Sequence, residues 1–395
     1  MGLAAKNAKS AKKTWPMVRL GEVCEKKIKR LRQINDEEFE YIDISSIDRK
    51  TKSIISTKEY QRGDAPGRAQ QVVDEGDVLV STVRPNLNAV AVVGKKQKLQ
   101  RIASTGFCVL RPSANILSEY IFYCVQHDEF IAALVGVAEK AAYPSVTDDE
   151  VKSVSIPLPP LPVQREIVAR LEKELGEADA LAAKFKEIAE NADAEFKAEL
   201  DETFKNVEGE KVRLGEVCEI KNGYTPKASE LREAGDVPYF RISAMNFPGN
   251  ERQMQCPTAW LVGKHRCFRS GSVVFPKNGG AVYTGKVRLL IRDSIVDLNT
   301  GVCSPIIDID CDYLYYWITA YDIRSAIVEG TIPFVDFVKL NDANFMLPQL
   351  TIQHDIVKRL DAAKKRCEKL KAAAERGLRA AEDLRKAILA EAFEQ

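Results

Sequence analysis

Two long stretches of the chain place apolar residues at alternating spacings of three and four. In the first, from about 163 to 204, the stripe is Ile167, Leu171, Leu175, Ala178, Leu181, Phe185, Ile188, Ala192, Phe196 and Leu200. In the second, from about 352 to 393, it is Ile356, Leu360, Ala363, Cys367, Leu370, Ala374, Leu378, Ala381, Leu384 and Ile388. A mean spacing near 3.5 predicts two long helices of coiled-coil type. At 1.5 Å per residue each helix is roughly 60 Å long, too long to bury its stripe on a small domain. Each helix is therefore the expected partner of the other, in an antiparallel pair, and Leu181→Asp is expected to abolish that pair.

Ahead of each helix the pattern changes to short β-branched and aromatic runs bounded by Gly, Pro and Asn, which predict strands. In the first half these are 39–47, 77–83, 89–93 and 107–110, followed by a helix over 118–137. In the second half they are 237–242, 272–275, 286–291 and 306–309, followed by a helix over 313–328. Proline-rich connectors at 156–162 and 345–351 lead into the long helices and read as extended joints.

The two halves share sequence as well as pattern. Val18-Arg-Leu-Gly-Glu-Val-Cys-Glu25 recurs residue for residue as Val212-Arg-Leu-Gly-Glu-Val-Cys-Glu219. Leu158-Pro-Pro-Leu-Pro-Val-Gln-Arg-Glu-Ile-Val-Ala-Arg-Leu-Glu172 is echoed by Leu347-Pro-Gln-Leu-Thr-Ile-Gln-His-Asp-Ile-Val-Lys-Arg-Leu-Asp361. The chain reads as a tandem duplication. Divergence elsewhere implies one scaffold carrying two different working surfaces.

Composition narrows the function. The chain has 395 residues, 45% of them hydrophobic, enough for two or more packed domains. Net charge is +1, so basic character is local rather than global. No apolar run is as long as a membrane span requires, and residues 1–14 read as a disordered basic tail without a secretory h-region. The nine Cys form no CxxC pair and there are only three His, so spacing indicates no zinc site. Cys24 and Cys218, like Cys108 and Cys303, hold equivalent repeat positions and are expected to be small buried hydrophobes in a reduced, cytoplasmic protein.

Catalytic signatures are weak. Gly280-Ala-Val-Tyr-Thr-Gly-Lys286 fits the spacing of a phosphate-binding loop, and an ATPase acting through Lys286 is one reading. Val287 stands where such a loop needs Ser or Thr for Mg²⁺, and a strand follows where it needs a helix, so a glycine-rich hairpin turn is preferred. The basic and polar loops are more informative, because Arg, Lys, Asn and Gln pair with base edges and neutralise phosphates. The candidate DNA-binding residues are Lys26, Lys27, Lys29, Arg30, Arg84, Asn86, Asn88, Lys95 and Lys96 in the first half. In the second they are Lys221, Asn222, Tyr224, Arg252, Lys277, Asn278 and Lys286.

The Val-Arg-Leu-Gly-Glu-Val opening, present twice, and the Leu-Pro-Pro-Leu-x-x-Gln-x-x-Ile-Val-x-x-Leu closing motif at 158–171, echoed at 347–360 with Gln349 in place of Pro160, resemble the specificity subunit of type I restriction–modification systems. The resemblance covers about 17–395. It implies an α+β chain of two β-rich target-recognition domains in tandem, each followed by a long helix, the helices packed as an antiparallel coiled coil. The corresponding segments are a tail at 1–14, a first domain at 15–155, a joint and central spacer helix at 156–207, a second domain at 208–344, and a joint and distal helix at 345–395. Each domain would read half of a bipartite duplex DNA site. The helices would set the spacing and dock DNA adenine methyltransferase subunits, and restriction subunits would complete the nuclease. Catalysis, S-adenosylmethionine, ATP and Mg²⁺ would then belong to partner subunits, with no cofactor, metal or membrane bound by this chain. A non-enzymatic coiled-coil scaffold for other proteins is the alternative.

Overall fold

The repeated octapeptide closes each half of the fold on itself. In the computed structural model, which describes residues 15–95, 98–139 and 144–393, the strand Met17–Arg19 pairs antiparallel with Ser155–Pro157. Its equivalent Glu210–Arg213 pairs in the same sense with Asn344–Leu347. A four-residue helix follows each opening strand, Leu20–Val23 and Leu214–Val217, and buries its leucine completely. The chain divides into two units, one of residues 1–185 with 376–395 and one of 186–375. The expected tail at 1–14 and Lys96 lie outside the described residues.

Beside its two-stranded pairs, unit one carries a four-stranded and a three-stranded sheet among the described residues. Lys58–Gln61, Glu38–Ile42, Gln100–Ser104 and Ala69–Val73 form the first in that order; Phe107–Leu110, Val78–Ser81 and Val90–Val92 form the second. Ile42, Leu79 and Phe107 are fully buried between them. Three strands of the first sheet were not expected from the sequence. Lys58, Glu59 and Gln61 face solvent and dilute the hydrophobic signal of their strand. The predicted strand 39–47 stops at Ile42, where Asp43 opens a 3-10 turn and its N–H donates to Ser46 Oγ at 3.1 Å. The predicted helix 118–137 is two helices, Ser118–Cys124 and Asp128–Ala138, bent by 63°. His127 restarts the helix by accepting the Glu129 N–H at Nδ1.

Unit two has a five-stranded sheet ordered Cys218–Asn222, Thr300–Pro305, Val273–Pro276, Arg288–Leu290 and Gln253–Met254. The strand expected at 306–309 lies earlier, ending at Pro305, and Ile306 beyond it is 59% exposed. The helix expected over 313–328 is Cys311–Tyr321. It stops at Asp322, left-handed at φ 53°, whose carboxylate binds the Arg324 guanidinium at 2.7 Å. The segment 280–286 connects two antiparallel strands through a 3-10 turn rather than opening a helix. Cys24, Cys108, Cys218 and Cys303 are buried, and burial pushes the Cys24 thiol up to about 12.

Both long helices form, as Leu161–Asn206 and Leu350–Phe393. Each joint is held by the glutamine of the closing motif. Gln164 Oε1 accepts the Leu117 N–H and Nε2 donates to the carbonyls of Asn115 and Pro159. Gln353 accepts the Asp310 N–H and donates to the Pro348 carbonyl. Ile167 and Leu171 pack into the core of unit one, and Ile356 and Leu360 into that of unit two.

Within each unit the helices run antiparallel. In unit one Asp179 binds Arg385 at 2.8 Å and the Phe185 ring covers Gly377. In unit two Asp193 binds Lys371, Glu199 binds Arg366 and Thr203 binds Arg359, at 2.7, 2.9 and 2.7 Å. The stripe expected from the sequence needs correcting at four positions. Leu181 and Ile188 are 40% and 42% exposed, Leu370 and Leu384 44% and 45%. Their neighbours Ala182, Ala189, Lys371 and Arg385 are the less exposed ones, while Leu378 is half-buried. In the first helix the spacing of three and four passes through the two alanines, which lets the backbones approach; in the second, Lys371 and Arg385 are drawn to the partner helix by their ion pairs with Asp193 and Asp179. Among the described residues no single helix is long and apolar enough to cross a membrane.

Candidate nucleic-acid interface

The most closely matched polar loops of the two units follow equivalent strands. In unit one Val78–Ser81 leads through the turn Pro85–Leu87 to Val90–Val92. In unit two Val273–Pro276 leads through the turn Gly280–Thr284 to Arg288–Leu290. Backbone hydrogen bonds fix their correspondence. The Arg84 N–H donates to the Pro144 carbonyl at 2.8 Å, and the Gly279 N–H to the Pro333 carbonyl at 2.8 Å. The Val146 N–H donates to Thr82 O and the Val335 N–H to Lys277 O. Single bridges pair Val83 with Ser145 and Asn278 with Phe334. Arg84 is thus the structural equivalent of Gly279, and Val83 of Asn278.

Both turns are bracketed by residues of positive φ. Unit two uses Gly279 and Gly285, at 70° and 60°, where glycine costs nothing. Unit one uses Arg84 and Asn88, at 51° and 42°, where each side chain adds strain of about 1 kcal/mol or more. Asn88 is used internally: its Nδ2 donates to the Val125 carbonyl at 2.8 Å and its Oδ1 accepts from Lys52. Arg84 and Asn86 are exposed. Asn86 lines a cleft with Asp48, Arg49 and Lys50.

A second basic feature follows each repeated octapeptide. Lys26, Lys27, Lys29 and Arg30 line a cleft with Gln33, Asp148 and Lys152. Burial pushes the Asp148 carboxyl up, against the opposing pull of Lys152 and Arg30. In unit two Lys221 and Tyr224 line a cleft with Arg266 and Arg269. Lys221 is paired with Glu219 at 2.5 Å, and the Tyr224 hydroxyl donates to the Arg266 carbonyl. Such cations can neutralise phosphates, and the loop amides and guanidinium can reach base edges.

The profile of the type I restriction modification DNA specificity domain matches this chain twice, over residues 12–188 and 206–376. The chain belongs to that family. It is 32% identical over 108 residues to the specificity subunit of the type I restriction enzyme HindI of Haemophilus influenzae, an alignment covering 27% of this chain and 23% of that subunit. The chain therefore matches under a quarter of the length of that curated relative. A solved structure concerned with complex assembly and conformational transition of a type I R-M system holds a chain that is similar throughout. Identity is 28%, coverage 96% of this chain and 98% of that one, and the TM-score 0.83. The HsdS subunit of Thermoanaerobacter tengcongensis is similar at 28% identity, 98% coverage of both chains and a TM-score of 0.62.

Within the two specificity domains, the candidate residues fall into distinct groups. Arg84, Asn86, Lys277, Asn278 and Lys286 lie on or beside the matched loops, and Asn222 and Lys95 are exposed at other loop ends. Asn278 has its Oδ1 buried without a hydrogen-bond partner among the described residues. Arg252 is not a surface reader, contrary to the expectation from sequence. Its guanidinium binds Asp312 at 2.5 Å and Asp361 at 2.6 Å and stacks on Tyr315 and Tyr316. Both carboxylates come from helices distant in sequence, so no local motif marks the site. The specificity domains also bring in residues that sequence reading passed over: Lys52, Arg269 and Lys152.

Proposed function

We propose that this chain is the DNA-reading subunit of a type I restriction–modification complex. Each specificity domain reads one half of a bipartite duplex site, and the long helices set the spacing and dock DNA adenine methyltransferase subunits. Methyl transfer from S-adenosylmethionine, and ATP- and Mg²⁺-dependent cleavage by restriction subunits, take place in those partners. The observation that carries the reading is the pair of matched loops. The same backbone hydrogen bonds frame both, yet Arg84 and Val83 in one domain stand where Gly279 and Asn278 stand in the other. A conserved frame with exchanged side chains is what two readers of different base sequences require.

The test is a methylation map. The chain is co-expressed with the modification subunit encoded beside it, and adenine methylation is read across the host genome by single-molecule sequencing. A bipartite motif with a fixed gap, absent when this chain is absent, is the expected result. No motif, with the partner bound and folded, overturns the reading.

A further inference from the structure

Each specificity domain contains a lysine–asparagine tie between its reading loop and a second segment. In unit one Lys52 Nζ donates to the Asn88 carbonyl at 2.5 Å and to Asn88 Oδ1 at 2.8 Å. Lys52 sits in the turn between the strands Ile47–Asp48 and Ser53–Ile54, left-handed at φ 54°. In unit two Lys286 Nζ donates to Asn246 Oδ1. Lys286 directly follows Gly285, which ends the loop, while Asn246 ends the 3-10 turn Ile242–Asn246. In unit one the loop supplies the asparagine and the second segment the lysine, whereas in unit two the loop supplies the lysine and the second segment the asparagine. Such an exchange keeps the tie and discards the position of the charge, the reverse of what a phosphate contact would require.

We propose that Lys52 is a positioning residue for base reading by the first domain, holding the loop that presents Arg84 and Asn86, and that Lys286 does the same in the second. The idea rests on the DNA-reading function proposed above. In unit one three left-handed, non-glycine residues, Lys52, Arg84 and Asn88, meet at one loop and its support. Strain of this kind persists only where surrounding bonds over-determine the backbone, and the ammonium supplies two of those bonds. Burial, with help from Arg385 and Arg49, draws the Lys52 ammonium down to about 8, as befits a group withdrawn from solvent.

The loop and phosphate roles predict different readouts. A lysine on a phosphate weakens all duplex binding alike, and its loss reduces the salt slope by about 0.9. A positioning lysine alters base preference and leaves the slope alone. The full chain, in complex with its modification subunit, is challenged with a randomised duplex library. The selected sequence is then used in a salt titration. Lys52→Met and Asn88→Gly should each lower discrimination in one half-site on the order of tenfold, leave the other half-site and the salt slope unchanged, and be non-additive together. Lys52→Arg, which keeps donors at the same place, should recover most of the preference and guards against a variant that fails to fold. A shallower slope with preference retained, or no change in either, overturns the positioning role. A wild-type complex that selects no motif overturns the DNA-reading function itself.

Discussion

Gln164 accepts the Leu117 backbone N–H through its side-chain oxygen at 2.9 Å, and it does so with no exposed surface. The contact ties the first turn of a long helix to the start of the helix that lies in the core of unit one. Gln353, 1% exposed, makes the equivalent bond to Asp310 in unit two. Gln164→Leu leaves the Leu117 N–H and two carbonyls unpaired in the interior and should cost about 1–3 kcal/mol. Denaturant unfolding of the full chain measures this, and a change below about 0.5 kcal/mol would count against the joint.

The helix seam makes a prediction opposite to that from sequence alone. Leu181 is exposed, so Leu181→Asp should change stability by about 0.5 kcal/mol or less. Gly377→Leu must displace the Phe185 ring, because a Cβ there already overlaps it, and should cost about 1–3 kcal/mol. Thermal unfolding of the two variants side by side decides between the stripe read from sequence and the seam seen in the fold.

Arg84 separates stability from recognition. Arg84→Gly places in the first domain the residue that the second domain uses at the equivalent site, and it removes the left-handed strain. The melting temperature should stay level or rise, while one half-site loses its base preference in a library selection. An equal loss of affinity on every DNA would make Arg84 a phosphate contact.

Arg252 should behave as a structural residue. Arg252→Ala leaves Asp312 and Asp361 facing each other without their shared cation and should destabilise unit two by about 2 kcal/mol or more. The salt slope of DNA binding by the folded fraction should not move. A slope lower by about 0.9 would return Arg252 to the interface.

Acid should loosen the turn that carries Lys52. The N–H groups of Thr51 and Lys50 donate to the Asp48 carboxylate, at 3.1 and 2.6 Å, and hold it below the usual carboxylate range. A depressed carboxylate stabilises the fold fully above its unfolded pKa and loses that contribution as pH falls through the folded one. The Lys50 and Thr51 amide resonances should therefore shift together below the ordinary range, and Asp48→Asn should abolish the titration.

Sequence by itself determined what depends on periodicity and on self-similarity. The alternation of three and four located both long helices to within two residues at their starts, because a stripe sustained over that many turns has no other regular structure to adopt. The exact octapeptide and the closing motif revealed the duplication. Their role became visible only when the octapeptide strand paired with the strand that runs into the connector, and when the motif glutamine was found buried at the joint. Tertiary structure alone decided which of two adjacent apolar residues enters the helix seam, since Leu181 and Ala182 both satisfy the local pattern and only the partner's surface, with Gly377 beneath Phe185, selects between them. It also decided which cations are free. Arg252, Lys52 and Lys286 look alike in sequence to Arg84, yet their partners come from segments far along the chain. A charge is committed or available according to what folding brings within hydrogen-bond reach, and residue type carries no record of that.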